Sequence, residues 1–147
     1  MTERVKVLDN IDYKNLVEQA IAAREMAYAP YSSFKVGAAL MTKSGKIFKG
    51  CNIENATYTP TNCAERTAFF KAVSEGEKEF ECIAIVGGKS GESIHELCPP
   101  CGVCRQVMME FCNPKTFKIV LAKDIDNITV FTLNDLLPFG FGKSNLK

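Results

Sequence analysis

At 147 residues, with 46% hydrophobic and 24% charged side chains, the chain is long enough to bury a core without staples, and a single domain spanning 1–147 is expected. Lys and Arg number 18 against 17 Asp and Glu; the balance lacks the basic excess that selects polyanionic nucleic acid and suits a small, weakly charged substrate. No apolar run approaches the ~20 residues that span a bilayer and no signal-peptide pattern is visible, so the expectation is a soluble, cytoplasmic protein without a membrane partner.

Asp12 is a candidate N-cap for a first helix, because Leu16, Val17, Ala20, Ile21 and Ala27 recur at helical spacing until Pro30 forbids continuation. Phe34 to Met41 and Ile47 to Ile53 read as strands of a hairpin turning at Ser44-Gly45, with Gly37 and Gly50 weakening the register. A helix is expected from Asn62 to Glu75, closed by Gly76, and then a strand buried on both faces at Cys82 to Val86. The polar stretch Gly87 to Glu96 is a loop. Pro100 suits the first turn of a helix running to about Phe111, and Asn113-Pro114 ends it before a strand from Phe117 to Leu121. Strand, helix, strand implies a right-handed parallel crossover. Asp124 to Asn127 leaves too few residues for another crossover, so the last strand, Ile128 to Phe131, should return antiparallel.

Seven cysteines, an odd number in a chain without a secretion signal, argue for ligands and core residues rather than disulfides. Cys63-Ala64-Glu65 lies upstream of Pro100-Cys101-Gly102-Val103-Cys104, each at an expected helix start, which is the three-cysteine form of the zinc-deaminase pattern. Cys101 and Cys104 are three residues apart, so their sulfurs emerge on one helical face, with Cys63 as third ligand. Three protein ligands leave a fourth position open, as in a catalytic rather than a structural zinc site. Three thiolates leave about one net negative charge around the dication. Inward-facing helix N-termini, and Arg66 or Arg105 donating to a sulfur, would offset it; helical spacing favours Arg66.

The sequence resembles the small homo-oligomeric, zinc-dependent cytidine deaminases. The likeness runs through Pro30-Tyr31-Ser32-Ser33-Phe34-Lys35-Val36-Gly37-Ala38-Ala39-Leu40, Asn52-Ile53-Glu54-Asn55-Ala56, Cys63-Ala64-Glu65-Arg66-Thr67-Ala68, Pro100-Cys101-Gly102-Val103-Cys104-Arg105-Gln106 and Leu136-Leu137-Pro138. It implies an α/β fold: a three-layer α/β/α sandwich on a mixed five-stranded sheet with an antiparallel last strand. Nucleic-acid deaminases of the wider superfamily insert a helix before that strand. The resemblance further implies hydrolytic deamination of free cytidine and 2′-deoxycytidine in pyrimidine salvage, with one zinc per chain and Glu65 moving protons as zinc-bound hydroxide attacks C4. Asn52 and Glu54 would bind the ribose 3′-hydroxyl, the Ala64 backbone the base, and Phe34 would pack beside the nucleoside. Phe141 would cover the base of a neighbouring subunit in a homotetramer, with Phe139 a substitute.

Other roles are open to some of these residues. Glu65 stands three positions after Asn62 and could complete a capping box. Cys98 could join Cys63, Cys101 and Cys104 in a closed structural zinc site. Cys51, Cys82 and Cys112 read as small buried hydrophobes, and His95 as an exposed loop residue. Phe139 and Phe141 could form a plug on the chain's own core.

Overall fold

The computed structural model describes the backbone of residues 3–4 and the whole of residues 11–147. Strands β1 (Glu3–Arg4), β2 (Phe34–Thr42), β3 (Ile47–Cys51), β4 (Phe80–Lys89), β5 (Lys118–Asp124) and β6 (Asn127–Thr132) form one sheet in the order β1-β6-β5-β4-β2-β3. The five expected strands are therefore joined by a two-residue edge strand, β1, antiparallel to β6. Only β4 and β5 run parallel, with helix α3 (Gly102–Phe111) between them in sequence; β6 returns antiparallel along β5.

Alternation along the strands sends small side chains to one face and larger ones to the other. Ala39, Cys82, Ala84, Val86, Val120 and Ala122 face helix α1 (Tyr13–Arg24), which buries Leu16, Val17 and Ala20 against them. Leu40, Ile83, Ile85, Ile119 and Leu121 face α3 and helix α2 (Ala64–Ser74), whose Phe69 lies at the centre of that layer. This gives the expected three layers. No helix among the described residues is long and apolar enough to cross a membrane.

Gly37 and Gly50, which weakened the strand reading, are where the helices come closest to the sheet. A Cβ on Gly37 would stand 2.0 Å from the Ala20 carbonyl oxygen, and one on Gly50 would stand 2.4 Å from that of Ala64. The two glycines let α1 and α2 rest directly on the strand backbone, with Gly50 beneath the first turns of α2.

Several boundaries move. Asp12 caps α1 as expected, accepting from the Asn15 N–H at 3.0 Å. The helix stops at Arg24 rather than running toward Pro30: Glu25, Met26 and Ala27 tighten into bonds three residues back, and the Tyr28 N–H leaves to bond the Asn52 carbonyl at 3.0 Å. Helix α2 begins at Ala64 and α3 at Gly102, because in each case a cysteine, not Asn62 or the turn at Pro100, takes the N-cap. Strand β3 ends at Cys51; beyond it Ile53 pairs separately with Tyr28 and Asn62. Strand β4 runs on to Lys89, so the expected loop starts later than Gly87. A short helix outside the expected elements, α4 (Leu133–Leu136), is capped by Thr132 through a capping box with Asp135.

Candidate metal centre and active site

The sheet brings two helix N-termini together: Cys63 is the N-cap of α2 and Cys101 the N-cap of α3. The Sγ atoms of Cys63, Cys101 and Cys104 all lie within 4.8 Å of one another, with Cys63 and Cys101 3.7 Å apart. Tetrahedral zinc, with Zn–S near 2.3 Å, spaces its sulfurs about 3.8 Å apart. The three thiols therefore fit a zinc ion, and Cys98 lies outside the group, which removes the closed four-cysteine reading. A Cβ on Gly87 would stand 2.6 Å from Cys98 Sγ and 3.0 Å from Phe34 Cε2, so Cys98 is packed where β4 passes beneath the Phe34 ring. Burial, then the charges of Glu65 and Cys63, pushes its thiol up to about 12.

Hydrogen bonding from Cys104, aided by Arg66 and Cys101 and opposed by burial, pulls the Cys63 thiol down to about 5. Cys104, as the donor of that pair, is shifted upward. A proton held between two sulfurs in this way is one that a dication displaces. Arg66 Nη2 donates to Cys63 Sγ at 3.3 Å, as its spacing on the helix predicted. Arg66 Nε is buried without a hydrogen-bond partner. Arg105 is occupied elsewhere: Nε donates to the Pro100 carbonyl at 2.7 Å and Nη1 to that of Leu136.

Glu65 is buried, with 4% of its surface exposed. It closes no capping box, because the cap of α2 is Cys63 and makes no side-chain cap bond. Burial is the main cause that raises its carboxyl to about 7, opposed by its own backbone N–H and reinforced by the charge of Cys63. A carboxyl poised near neutrality can accept and return a proton.

The pairing of Ile53 with Asn62 lays the segment carrying Asn52 and Glu54 beside the entry to α2. Asn52 braces β2, accepting from the Val36 N–H at 2.8 Å and donating to the Phe34 carbonyl at 2.9 Å. Glu54 opens onto a cavity of 390 Å³ lined by Tyr31, Ser32, Glu54, Asn55, Tyr58 and Thr61. Its carboxylate accepts from the Tyr31 and Ser32 N–H groups and from the Ser32 hydroxyl, and that hydroxyl bond is the chief reason its carboxyl is held below the usual range. Ala64 is the first helical residue of α2, with its side chain buried.

Phe139 and Phe141 do not plug the chain's own core. Phe139 is fully exposed at φ +56°, and Phe141 is 57% exposed while its carbonyl accepts from Gln106 Nε2 at 2.8 Å. Among the described residues, the other non-glycine positions at positive φ are Ser33 at +59°, next to Ser32 of the Glu54 cavity, and Tyr58 at +67°, in its lining. Backbone held in this sparse region gathers where a site over-determines it. His95 lies on the exposed loop, as expected, beside Glu92 and Glu96. Cys82 is fully buried, and Cys51 and Cys112 partly so.

Residues 11–121 match the family model described as the cytidine and deoxycytidylate deaminase zinc-binding region. The chain is 47% identical to a cytidine deaminase of Sporosarcina psychrophila, over 92% of this chain and 96% of the relative. It is 49% identical to one of Halalkalibacterium halodurans, over 89% and 95% of the two chains. Among solved structures, a cytidine deaminase from Burkholderia pseudomallei matches with a TM-score of 0.79 at 50% identity, covering 89% of this chain and 100% of that one.

Proposed function

Because the chain belongs to the zinc-dependent cytidine deaminase family of hydrolases, we propose that it converts free cytidine and 2′-deoxycytidine, with one water, to uridine and 2′-deoxyuridine plus ammonia, using Glu65 as the proton carrier. The observation that carries this reading is a cluster of three thiols spaced for zinc, with a buried carboxyl, Glu65, two residues after one of them, Cys63. Cys63, Cys101 and Cys104 hold one zinc per chain, which when bound supplies the Lewis acidity that makes a water nucleophilic at neutral pH. Glu65 takes a proton from the attacking water and delivers it to N3 of the pyrimidine. It then carries the second proton to the departing amine, so that ammonia leaves as the C4 carbonyl forms. Arg66 draws charge from the Cys63 sulfur and so limits the electron density that three thiolates place on the metal.

Asn52 and Glu54 hold the sugar at its 3′-hydroxyl, the Ala64 backbone meets the base, and Phe34 packs beside the nucleoside. The near-neutral charge of the chain agrees with a small nucleoside substrate and no nucleic-acid partner. One catalytic domain spans 1–147 and works in the cytoplasm as a homotetramer in which Phe141, or else Phe139, covers a neighbouring subunit's base. The exposure of both rings on their own chain supports that assembly.

The test is ammonia release from cytidine by Glu65→Gln. The variant should keep about one zinc per chain and lose roughly 10²–10⁴-fold in turnover, the usual contribution of a positioned acid–base group, while Cys104→Ala loses the metal. Undiminished turnover by Glu65→Gln excludes it as the proton carrier.

A further inference from the structure

The cavity beside Glu54 contains a residue to which neither the motif reading nor the family match assigns a task. Ser32 touches Glu54 twice: its N–H donates to Oε1 at 3.1 Å and its hydroxyl donates to Oε2. The Tyr31 N–H also donates to Oε1, at 2.9 Å. The same Ser32 oxygen accepts from the Phe34 N–H at 3.0 Å, and the Phe34 carbonyl is in turn held by Asn52 Nδ2 at 2.9 Å. One hydroxyl thus ties together Glu54, Phe34 and, through Phe34, Asn52.

The acceptor arithmetic makes this arrangement specific. A carboxylate offers about four lone-pair sites. The Tyr31 and Ser32 N–H groups occupy both on Oε1, and the Ser32 hydroxyl occupies one on Oε2, so a single acceptor site remains, on Oε2. A serine hydroxyl has one proton to give; the Phe34 carbonyl, 3.5 Å from Ser32 Oγ, is too distant to compete for it. The direction in which Glu54 presents its last acceptor is therefore set by Ser32. The loop that aims Ser32 is itself over-determined, with Ser33 in the left-handed region at φ +59° and the Ser33 N–H bonded to the Ala29 carbonyl at 3.1 Å.

We propose that Ser32 is a positioning residue for sugar recognition: its hydroxyl fixes Oε2 of Glu54 so that the one remaining acceptor meets a sugar hydroxyl, and it thereby sets how strongly the enzyme prefers nucleosides that carry that hydroxyl. This rests on the reading of Glu54 as the contact to the sugar 3′-hydroxyl. Ser32 does not touch the reacting atoms, so its signature is selectivity for the sugar.

The experiment compares kcat/KM for cytidine with kcat/KM for 3′-deoxycytidine in zinc-loaded wild type, Glu54→Gln, Ser32→Ala, Ser32→Gly and Ser32→Thr. Glu54→Gln should collapse the preference for cytidine. Ser32→Ala and Ser32→Gly should each lower it about tenfold, the scale of one hydrogen bond to a charged group, mainly through a higher KM for cytidine. Ser32→Thr, which returns a hydroxyl, should retain most of it. If Glu54→Gln leaves the preference intact, the sugar contact itself is wrong. If Glu54→Gln collapses it while Ser32→Ala and Ser32→Gly slow both substrates equally, Ser32 is merely structural and the proposal fails. A loss in Ser32→Thr as large as in Ser32→Ala would assign the effect to shape and overturn it as well.

Discussion

The substitution Gly50→Ala tests whether the sheet sets the position of the catalytic helix. The added Cβ would lie 2.4 Å from the Ala64 carbonyl oxygen and 2.6 Å from the Ala68 amide nitrogen, both backbone atoms of α2 that no rotamer change can move aside. Restoring ordinary van der Waals separation requires the first turns of α2 to lift by roughly 1 Å, and Cys63, Glu65 and Arg66 ride on those turns. Overpacking of this kind costs about 1–3 kcal/mol, and for a chain of this length each kcal/mol lowers Tm by about 2–4 °C. The effect on the site should be larger. Metal geometry tolerates about 0.2 Å in ligand distance, and a 1 Å misplacement of reacting groups costs about 10²-fold in rate. Gly50→Ala should therefore lose zinc affinity and about two orders of magnitude in kcat/KM, measured by metal analysis and ammonia release. Gly45→Ala is the control. Gly45 turns the β2–β3 hairpin at φ +97° with nothing near its missing Cβ, so that variant should cost about 1–2 kcal/mol of stability and leave kcat/KM as it was. A Gly50→Ala enzyme with wild-type zinc content and kcat/KM would refute the idea that this close approach positions the site.

Two further outcomes follow from the geometry. With zinc removed, the lowered Cys63 thiol, at about 5, is largely thiolate at neutral pH and falls below half ionised only under pH 5. Iodoacetamide at pH 7 should modify Cys63 well before the buried Cys104 and the half-buried Cys112, whose thiols are shifted upward, and zinc should protect Cys63; peptide mass mapping showing equal labelling of all three would contradict the hydrogen-bond assignment. Phe141→Ala removes a ring that contributes little to its own chain's core, so the melting temperature of a dissociated chain should hardly move while KM for cytidine rises several-fold; an unchanged KM would transfer the covering role to Phe139 or abolish it.

The architecture was legible because its signals are local. Five strands, the helical starts around Cys63 and Cys101, the antiparallel return of β6 and the Arg66–Cys63 bond all follow from periodicity, punctuation and spacing of three residues. The misplaced features depend on partners distant in sequence. Nothing near Ala27 says that Tyr28 will bond to Asn52, so helical spacing alone carries α1 past its end at Arg24. Gly37 and Gly50 weaken their strands by propensity, and a single strand does not show the helix that lies on it. Arg105 shares its neighbourhood in sequence with Cys104, yet its partners are carbonyls at Pro100 and Leu136, a choice made by the placement of α4. Ser32 carries no local sign of its role, since its partner is 22 residues away.

The two N-caps show how the fold and the metal depend on each other. Ser, Thr, Asp or Asn ordinarily takes this position, supplying an oxygen to the first free N–H groups of the helix. Here both caps are cysteines; Cys63 makes no such bond, and Cys101 Sγ, a weak acceptor, takes the Cys104 N–H at 3.5 Å. As sequences for isolated helices these are weak starts. As thiolates they are well placed, because the positive ends of two helix dipoles and the Arg66 guanidinium converge on sulfur that must carry charge to bind zinc. The weakness of the caps and the strength of the ligands have the same cause, so metal binding should tighten the first turns of α2 and α3 together.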